Sequence, residues 1–485
     1  MASIDELRDA RIKKIELLKD AGMDPYTAEC FRTHTIKEVL DGFDLIESGG
    51  KEIVIAGRVM SLRGQGAVIF FNLTDGSDIF QGLLKKGEIE DSLFKLFVDA
   101  IDIADFVEVT GTLFKTKTEQ QTILVKKWRI LTKALAPLPE KWHGLQDVEE
   151  RFRKRYLDIL TNKDLQDLFI KKAKFWEVTR NFLKENGFLE VETPTLEITT
   201  GGAEANPFKT HHKDFDLDVY LRISVGELWQ KRLMSAGFPK TFEIGRVYRN
   251  EGSSAEHLQE FTNMEFYWAY ANYKDGMKLV EKLYQKIAME VFGTTVFETR
   301  GHKFDLSGNW GVVNYVDEIL RQTGIDVINS TEKEMSDKLD SLSIKYEGNN
   351  RERLMDTLWK YCRRNIPGPV FLVHHPKLVS PLAKSCQENK ELTERFQIII
   401  AGSEVGNGFS ELNDPIDQKA RFELQQKLID KGDEEAMMPE WDFVEMLEHG
   451  MPPTCGFGFG ERLFSFMIDK PIRETQLFPL MKPKE

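Results

Sequence analysis

Three stretches of this chain set charged side chains among glycines in a pattern that suits a phosphorylated or cationic ligand. The first is Phe242-Glu243-Ile244-Gly245-Arg246-Val247-Tyr248-Arg249-Asn250-Glu251-Gly252, followed after a polar loop by Glu260-Phe261-Thr262-Asn263-Met264-Glu265-Phe266-Tyr267. Two strands joined by a turn-rich loop would bring Arg249 and Glu251 to the mouth of a hairpin, on the side that carries Glu265 and Tyr267. Arginine suits a phosphate, and glutamate an amino edge or a cation; the alternative is a surface ladder of ion pairs. The second stretch is Gly402-Ser403-Glu404-Val405-Gly406-Asn407-Gly408-Phe409-Ser410-Glu411-Leu412-Asn413-Asp414-Pro415. It reads as a strand whose glycines let a ligand come close, with Glu404 and Glu411 needing partners or ligands if buried. The third, Gly456-Phe457-Gly458-Phe459-Gly460-Glu461-Arg462, runs into a helix over 463–467 and could hold a nucleotide.

Other elements must position these residues. Leu7, Ile12, Ile15, Leu17 and Leu18 fall near helical spacing over 4–21, with Gly22 as a stop. Between 51 and 136 the texture turns to short β-rich runs around Ile53, Val68, Phe106 and Thr122, interrupted by a helix-like stretch over 89–98. About five strands and one helix in that length predict a small barrel of the OB type. Such barrels bind single-stranded nucleic acid through exposed aromatics flanked by cations, and Phe70, Arg63, Gln81 and the Phe114-Lys115 pair are candidates; the competing reading is that the aromatics are barrel core. Ala134 to Trp142, with its Ala-Pro-Leu-Pro, reads as a stiff linker. Beyond the basic cluster Arg151, Arg153, Lys154 and Arg155, which suits ion pairs with Glu149, Glu150 and Asp158 or a nucleic acid, helices and strands alternate without regular βαβ units. That texture predicts an α+β domain with a mainly antiparallel sheet flanked by helices. The expected division is a helical extension over 1–50, the barrel over 51–136, a linker over 137–150 and the large domain over 151–485, in which about 276–392 is helical elaboration.

Composition narrows the class. A chain of 485 residues is too long for one core. With 41% hydrophobic and 30% charged residues it is neither fibrous nor disordered. A net charge of -13 confines any nucleic-acid contact to local basic patches. Cys30, Cys362, Cys386 and Cys455 form no CxxC pair, which fits a reducing compartment, and His211-His212 and His374-His375 read as structural or surface residues. No secretory signal is expected at the start, and no apolar run approaches the roughly 20 residues of a membrane helix. A cytoplasmic protein is the expectation.

The three stretches together resemble the signature motifs of class II aminoacyl-tRNA synthetases, and the whole chain is similar to bacterial-type lysyl-tRNA synthetases. Arg155-Tyr156-Leu157-Asp158, Glu190-Val191-Glu192-Thr193-Pro194, Gly201-Gly202-Ala203, Asp216-Leu217-Asp218-Val219-Tyr220-Leu221-Arg222-Ile223, Arg249-Asn250-Glu251-Gly252 and the Asn407 to Pro415 stretch stand in the family's order, as does Gly111-Thr112-Leu113-Phe114-Lys115-Thr116 in the barrel. The resemblance implies ATP-dependent activation of lysine to lysyl-adenylate and its transfer to the 3′ end of tRNA(Lys), releasing AMP and pyrophosphate. By motif position, Arg249 and Arg462 would be the catalytic arginines. Arg249 would bind the α-phosphate and the substrate carboxylate, Glu251 the adenine amino group, and Phe261 the adenine face. Arg462 would cover the other adenine face and reach the γ-phosphate, with His257 near the outer phosphates. Lysine would meet Glu227 and Gly202 at its α-amino end with Glu265 nearby, Glu411 and Tyr267 at its side-chain ammonium, and Asn407 and Phe409 along the pocket. Glu404 would hold magnesium, one to three ions in all. Arg63, Phe70, Gln81 and, on a looser match, Glu119 would read the anticodon.

The chain departs from that pattern in places. Gln397 stands where the family usually has a magnesium-ligating glutamate, Ser403 where an arginine is common, and the third motif is one residue short in its glycine phasing. Ile223-Ser224-Val225-Gly226-Glu227 carries one residue more than the common form. The segment 165–187 leading to Pro194 resembles the first motif, which implies a homodimer. Competing readings are a non-catalytic tRNA-binding protein, a protein-lysylating enzyme, and an asparaginyl or aspartyl specificity, which Glu411 and Tyr267 disfavour because they suit an ammonium.

Overall fold

The computed structural model describes residues 3–139, 145–202, 205–346, 348, 350–431 and 436–484, the side chain of Gln65 excepted; Ala203 and part of the expected linker, 140–144, lie outside the described residues. The chain divides into two compact units between Asn162 and Lys163.

The first unit opens with helix α1 (Ile4–Asp20), started by Ser3, whose hydroxyl accepts from Glu6 N while the Glu6 carboxylate accepts from Ser3 N. Of its side chains Arg11 and Leu18 are buried, Arg11 donating to the Ile103, Ala134 and Ala136 carbonyls. Strands β1 (Ile53–Gln65), β2 (Val68–Thr74), β3 (Ile79–Lys85), β4 (Phe106–Lys115) and β5 (Gln121–Thr132) close a barrel in the order β1-β2-β3-β5-β4, with β3 and β5 parallel. The strands outrun the short apolar runs visible in sequence because their outward halves are polar. Period-two alternation turns Phe71, Leu73, Phe80, Val107, Val109 and Ile123 inward. Helix α2 (Asp91–Ala100) lays Phe94 and Phe97 on the barrel, Phe97 meeting Trp128 edge-on at 5.1 Å. The basic cluster forms ion pairs: Arg151 and Arg155 with Asp158, Arg153 with Glu149, and Lys154 with Glu150.

The second unit begins with α3 (Lys163–Glu185), which buries Leu165, Leu168, Phe175, Val178, Phe182 and Leu183 at helical spacing. Its core is an eight-stranded sheet. In chain order the strands are β6 (Leu189–Glu190), β7 (Lys240–Tyr248), β8 (Glu260–Ala269), β9 (Gly311–Asn314), β10 (Val370–Val373), β11 (Arg395–Ile400), β12 (Ser403–Ser410) and β13 (Thr454–Gly460). In space they run β9-β10-β11-β12-β13-β8-β7-β6, antiparallel except for the edge pairs β9 with β10 and β7 with β6. Helices α4 (Glu227–Ser235), α5 (Tyr273–Ile287), α6 (Arg351–Arg363), α7 (Pro415–Asp430) and α8 (Arg462–Met467) flank it. The expected α+β architecture, an OB-type barrel with a mainly antiparallel catalytic sheet, is thus borne out.

The segment 276–392, expected as helical elaboration, carries helices and also supplies β9 and β10 to the sheet, and its Tyr315, Trp359 and His375 line a cavity of the second unit. The strands are only four residues each, too short to announce themselves between helices.

Candidate active site

A cavity of about 520 Å³ opens over one face of β11, β12, β13 and β8. Register explains which side chains meet there. Asn263, Glu265 and Tyr267 lie across from Gly460, Gly458 and Gly456; Asn407 and Phe409 lie across from Gly458 and Gly456; Gln397 lies across from Asn407. Residues two apart share a face, so the three glycines form a bare floor while Phe457 and Phe459 pack beneath the sheet. A Cβ at Gly456 would overlap Glu411 Oε1, and one at Gly458 would stand 2.8 Å from Glu265 Cγ. The glycine phasing before Glu461-Arg462 therefore keeps all three glycines on the cavity side.

The cavity brings together every residue that the resemblance assigns to nucleotide, amino acid or metal: Gly202, Glu227, Arg249, Glu251, His257, Phe261, Glu265, Tyr267, Gln397, Glu404, Asn407, Phe409, Glu411 and Arg462. The extra residue ahead of Glu227 is absorbed by Gly226, which takes φ +66° at the start of α4, while Val225 N donates to Glu265 Oε1 at 2.8 Å. Gly202 folds against Glu227, 2.8 Å separating its would-be Cβ from Oε2.

Two ends of the cavity differ in charge. At one end stand arginines. Arg249 donates from Nε and Nη2 to the Ile223 carbonyl at 3.3 and 3.2 Å, its guanidinium 5.5 Å from the Phe261 ring centre. Arg462 Nη1 donates to the Glu404 carbonyl at 3.0 Å, and its Nε lies 3.6 Å from Glu256 Oε2. Glu256 also pairs with Arg300 and accepts from the hydroxyl of Ser403, the residue at the family's arginine position. Burial and then Arg462 hold His257 below its ordinary value, which favours the neutral ring.

At the other end stand carboxylates. Glu265 accepts from Val225 N, Asn263 Nδ2 and the Tyr267 hydroxyl, yet burial pushes its carboxyl up to about 7. Glu411 is 1% exposed and its Oε1 accepts no hydrogen bond among the described residues. Burial raises its carboxyl too, against the pull of Lys231. Lys231 is a residue sequence reasoning missed, although four residues after Glu227 on a helix is the spacing that pairs them.

The metal assignment can be tested on the donors present. Glu404 Oε1 accepts from Trp359 Nε1 at 3.1 Å and lies 3.1 Å from Arg363 Nη1, while Oε2 accepts from Gln397 Nε2 at 3.0 Å. Gln397 Oε1 in turn accepts from His375 Nε2 at 2.9 Å. Burial would raise the Glu404 carboxyl, but Arg363, Arg395 and Arg462 hold it below the usual range. No group of three or more histidine, cysteine or acidic residues suited to a metal occurs among the described residues. One carboxylate with a free lone pair fits a magnesium ion completed by phosphate oxygens and water. It does not fit an ion bridged by two carboxylates. Arg363, which lies in the 276–392 segment, had no signal in sequence.

In the barrel, Arg63 pairs across from Phe70, and Gln81 lies across from Asn72 and beside Thr122, to which its amide donates at 2.9 Å. Phe70 is 36% exposed while its neighbour Phe71 is 1% exposed, so Phe70 points out and is not core. Glu119 sits with φ +59° in the turn between β4 and β5, on no strand face.

Comparison with known proteins agrees with this geometry. Residues 147–482 match the family model described as tRNA synthetases class II (D, K and N), and residues 53–131 match an OB-fold nucleic acid binding domain. A protein named lysine--tRNA ligase from Thermotoga maritima is 42% identical over 99% of this chain and 97% of its own length. Proteins of the same name from Roseiflexus sp. (strain RS-1) and Pelotomaculum thermopropionicum are 43% and 41% identical, again over 99% of this chain, and over 100% and 96% of theirs. The resemblance read from the motifs is borne out end to end, and the chain belongs to the class II lysyl-tRNA synthetase family.

Proposed function

We propose that the protein activates lysine with ATP and transfers it to tRNA(Lys), releasing AMP and pyrophosphate. The observation that carries this reading is Glu411 Oε1, a buried carboxylate oxygen without a donor, at the acidic end of a cavity whose other end is lined by arginines. A buried carboxylate oxygen in that state is costly unless a cation reaches it. The Tyr267 ring and the Gly456 backbone flank it, which suits a side-chain ammonium and would repel the carboxylate of aspartate.

The chemistry needs positioning and charge neutralisation more than a protein base. In the first step a lysine carboxylate oxygen forms a bond to the α-phosphorus while the bond to pyrophosphate breaks. Arg249 draws the carboxylate and α-phosphate together, and Phe261 and Arg462 hold the adenine between them, with Glu251 at its amino edge. His257 faces the outer phosphates. Bound magnesium at Glu404 would neutralise phosphate charge. In the second step the terminal ribose hydroxyl of tRNA attacks the lysyl carbonyl and AMP leaves. Glu227, Gly202 and Glu265 hold the α-amino group throughout, and Asn407 and Phe409 shape the channel between.

In the barrel, Arg63, Phe70 and Gln81 form the face that takes the anticodon, with Glu119 at its margin; an outward aromatic beside a cation is the arrangement that stacks on single-stranded bases. A homodimer is supported by exposed Ile170, Leu189, Leu196 and Ile198 on and after α3, apolar side chains that subunit pairing would cover; sedimentation should give twice 56.0 kDa. No described helix is long and apolar enough to cross a membrane, and the cytoplasm, where tRNA is charged, is the proposed location.

ATP–pyrophosphate exchange by the purified protein against each proteinogenic amino acid, with magnesium, tests the reading. Exchange with lysine alone supports it. Exchange with asparagine or aspartate, or with none, overturns it.

A further inference from the structure

The Lys231 side chain is 1% exposed, yet it ends between two carboxylates, 2.7 Å from Glu227 Oε1 and 2.5 Å from Glu411 Oε2. The rings of Phe409, Phe443 and Tyr267 close around it, with centroids 5.3, 5.8 and 5.9 Å from Nζ. Both carboxylates line the cavity and Lys231 does not. It therefore stands behind the wall, with no open path toward solvent. Buried ammonium groups lose their proton unless carboxylates or aromatic faces compensate them, and here both do. Burial works against the charged form of Lys231, but Glu227 and Glu411 outweigh it.

Glu411 is consequently divided. Oε2 contacts the resident ammonium, while Oε1, without a donor, faces the cavity beside Gly456 and Tyr267. Glu227 and Glu411 share one fixed cation, so that pair keeps a single unit of negative charge. Without the fixed cation the pair would carry two negative charges in a buried place, a state that a protein relieves by binding a proton.

We propose that Lys231 is a positioning residue for amino-acid selection: a permanent counter-cation that favours the carboxylate form of Glu411 against its burial and turns its free oxygen to the substrate's side-chain ammonium. This rests on the lysine-activating reading above. The groups facing Glu411 are Lys231 and Glu227 from α4, Glu265 and Tyr267 from β8, and Cys455 from β13. The first of these alone is a cation. Removing it raises the Glu411 carboxyl, so the variant must be taken to higher pH before Glu411 ionises. The substrate ammonium stays charged to about pH 10, which leaves the alkaline range free for recovery.

The test is Lys231→Met, nearly the same length and unbranched, with Lys231→Gln as a second neutral variant. Melting and ATP binding establish that each is folded. Lysine KM and ATP KM in pyrophosphate exchange are then measured for variant and parent side by side between about pH 6.5 and 9, within the range where substrate lysine keeps its side-chain ammonium. The expected result is a rise in lysine KM of about 10-fold or more at pH 7, on the order of a lost charged partner, with ATP KM unchanged and the defect shrinking as pH rises. An unchanged or lowered lysine KM, or a defect of equal size at every pH, overturns the proposal. Should neither variant fold, a lysine-bound structure of the unaltered protein decides: Lys231 must keep both carboxylates while the ligand ammonium takes Oε1, and displacement of Lys231 by the ligand overturns it. Failure of the unaltered enzyme to exchange with lysine would instead remove the functional reading itself, so the two failures are distinguishable.

Discussion

Glu411 Oε1 and the amide of Gln397 make the sharpest predictions at the scale of single residues. Glu411→Gln preserves shape and removes the charge proposed to meet the substrate ammonium, leaving Lys231 half compensated. Loss of a partner from a buried charged contact costs about 3 kcal/mol, on the order of 100-fold. Lysine KM should rise by that factor, with ATP binding retained by calorimetry; unchanged lysine affinity would sink the pocket assignment. At Gln397 the amide donates to Glu404 where a second carboxylate would share a metal, and Arg363 supplies positive charge to the same group. Gln397→Glu should therefore add a divalent-ion site. Manganese titrated by electron paramagnetic resonance against a non-hydrolysable ATP analogue should show a higher stoichiometry or tighter binding in the variant than in the parent. Identical titrations would show that Gln397 does not limit the site.

At the scale of elements, α7 offers a pH test. Asp414 caps it, accepting from Ile416 N and Asp417 N, and Asp417 joins it to the segment before β11 through Lys377 at 3.0 Å while pairing within the helix with Arg421 at 2.8 Å. The Arg421 hydrogen bond, working against partial burial, holds the Asp417 carboxyl down at about 2. A depressed carboxyl contributes stability above its unfolded value and loses it as pH falls toward the folded one. Asp417→Asn should lower Tm at pH 7 by about 2 °C, on the order of 1 kcal/mol after solvent screening. The difference should fade below about pH 4 and vanish near 2, the interval between the unfolded and folded values. A difference that persists at pH 2 would assign the effect to packing.

The whole molecule separates two tasks between two units, and Phe70 tests that separation. Its ring points outward from β2 beside Arg63, while the cavity proposed to bind lysine and ATP lies wholly in the second unit. Phe70→Ala should weaken tRNA charging by about 10-fold or more, the loss of one stacked base, with pyrophosphate exchange and Tm unaltered. Equal losses in both assays would place Phe70 in a structural role.

Much of this protein was legible without coordinates because local patterns are written in neighbouring residues. Short β-rich runs marked the barrel strands, helical spacing marked α1, resemblance to the first motif marked α3, and the glycines flanking Asn407 marked a strand that lets a ligand come close. What stayed hidden depends on strand order and on pairs far apart in the chain. Trp359, Arg363 and Gln397 meet Glu404 only because β11 is the neighbour of β12 in the sheet and α6 packs beside them. Gln397 could be flagged as unusual in sequence, but its bond to His375 could not. Lys231 could be placed one helical turn from Glu227 by spacing alone; that it also reaches Glu411, 180 residues onward, was decided by tertiary packing. Residue type determined which charges the pocket could contain, and the fold, by excluding water from Lys231 and Glu411, determined how those charges are shared.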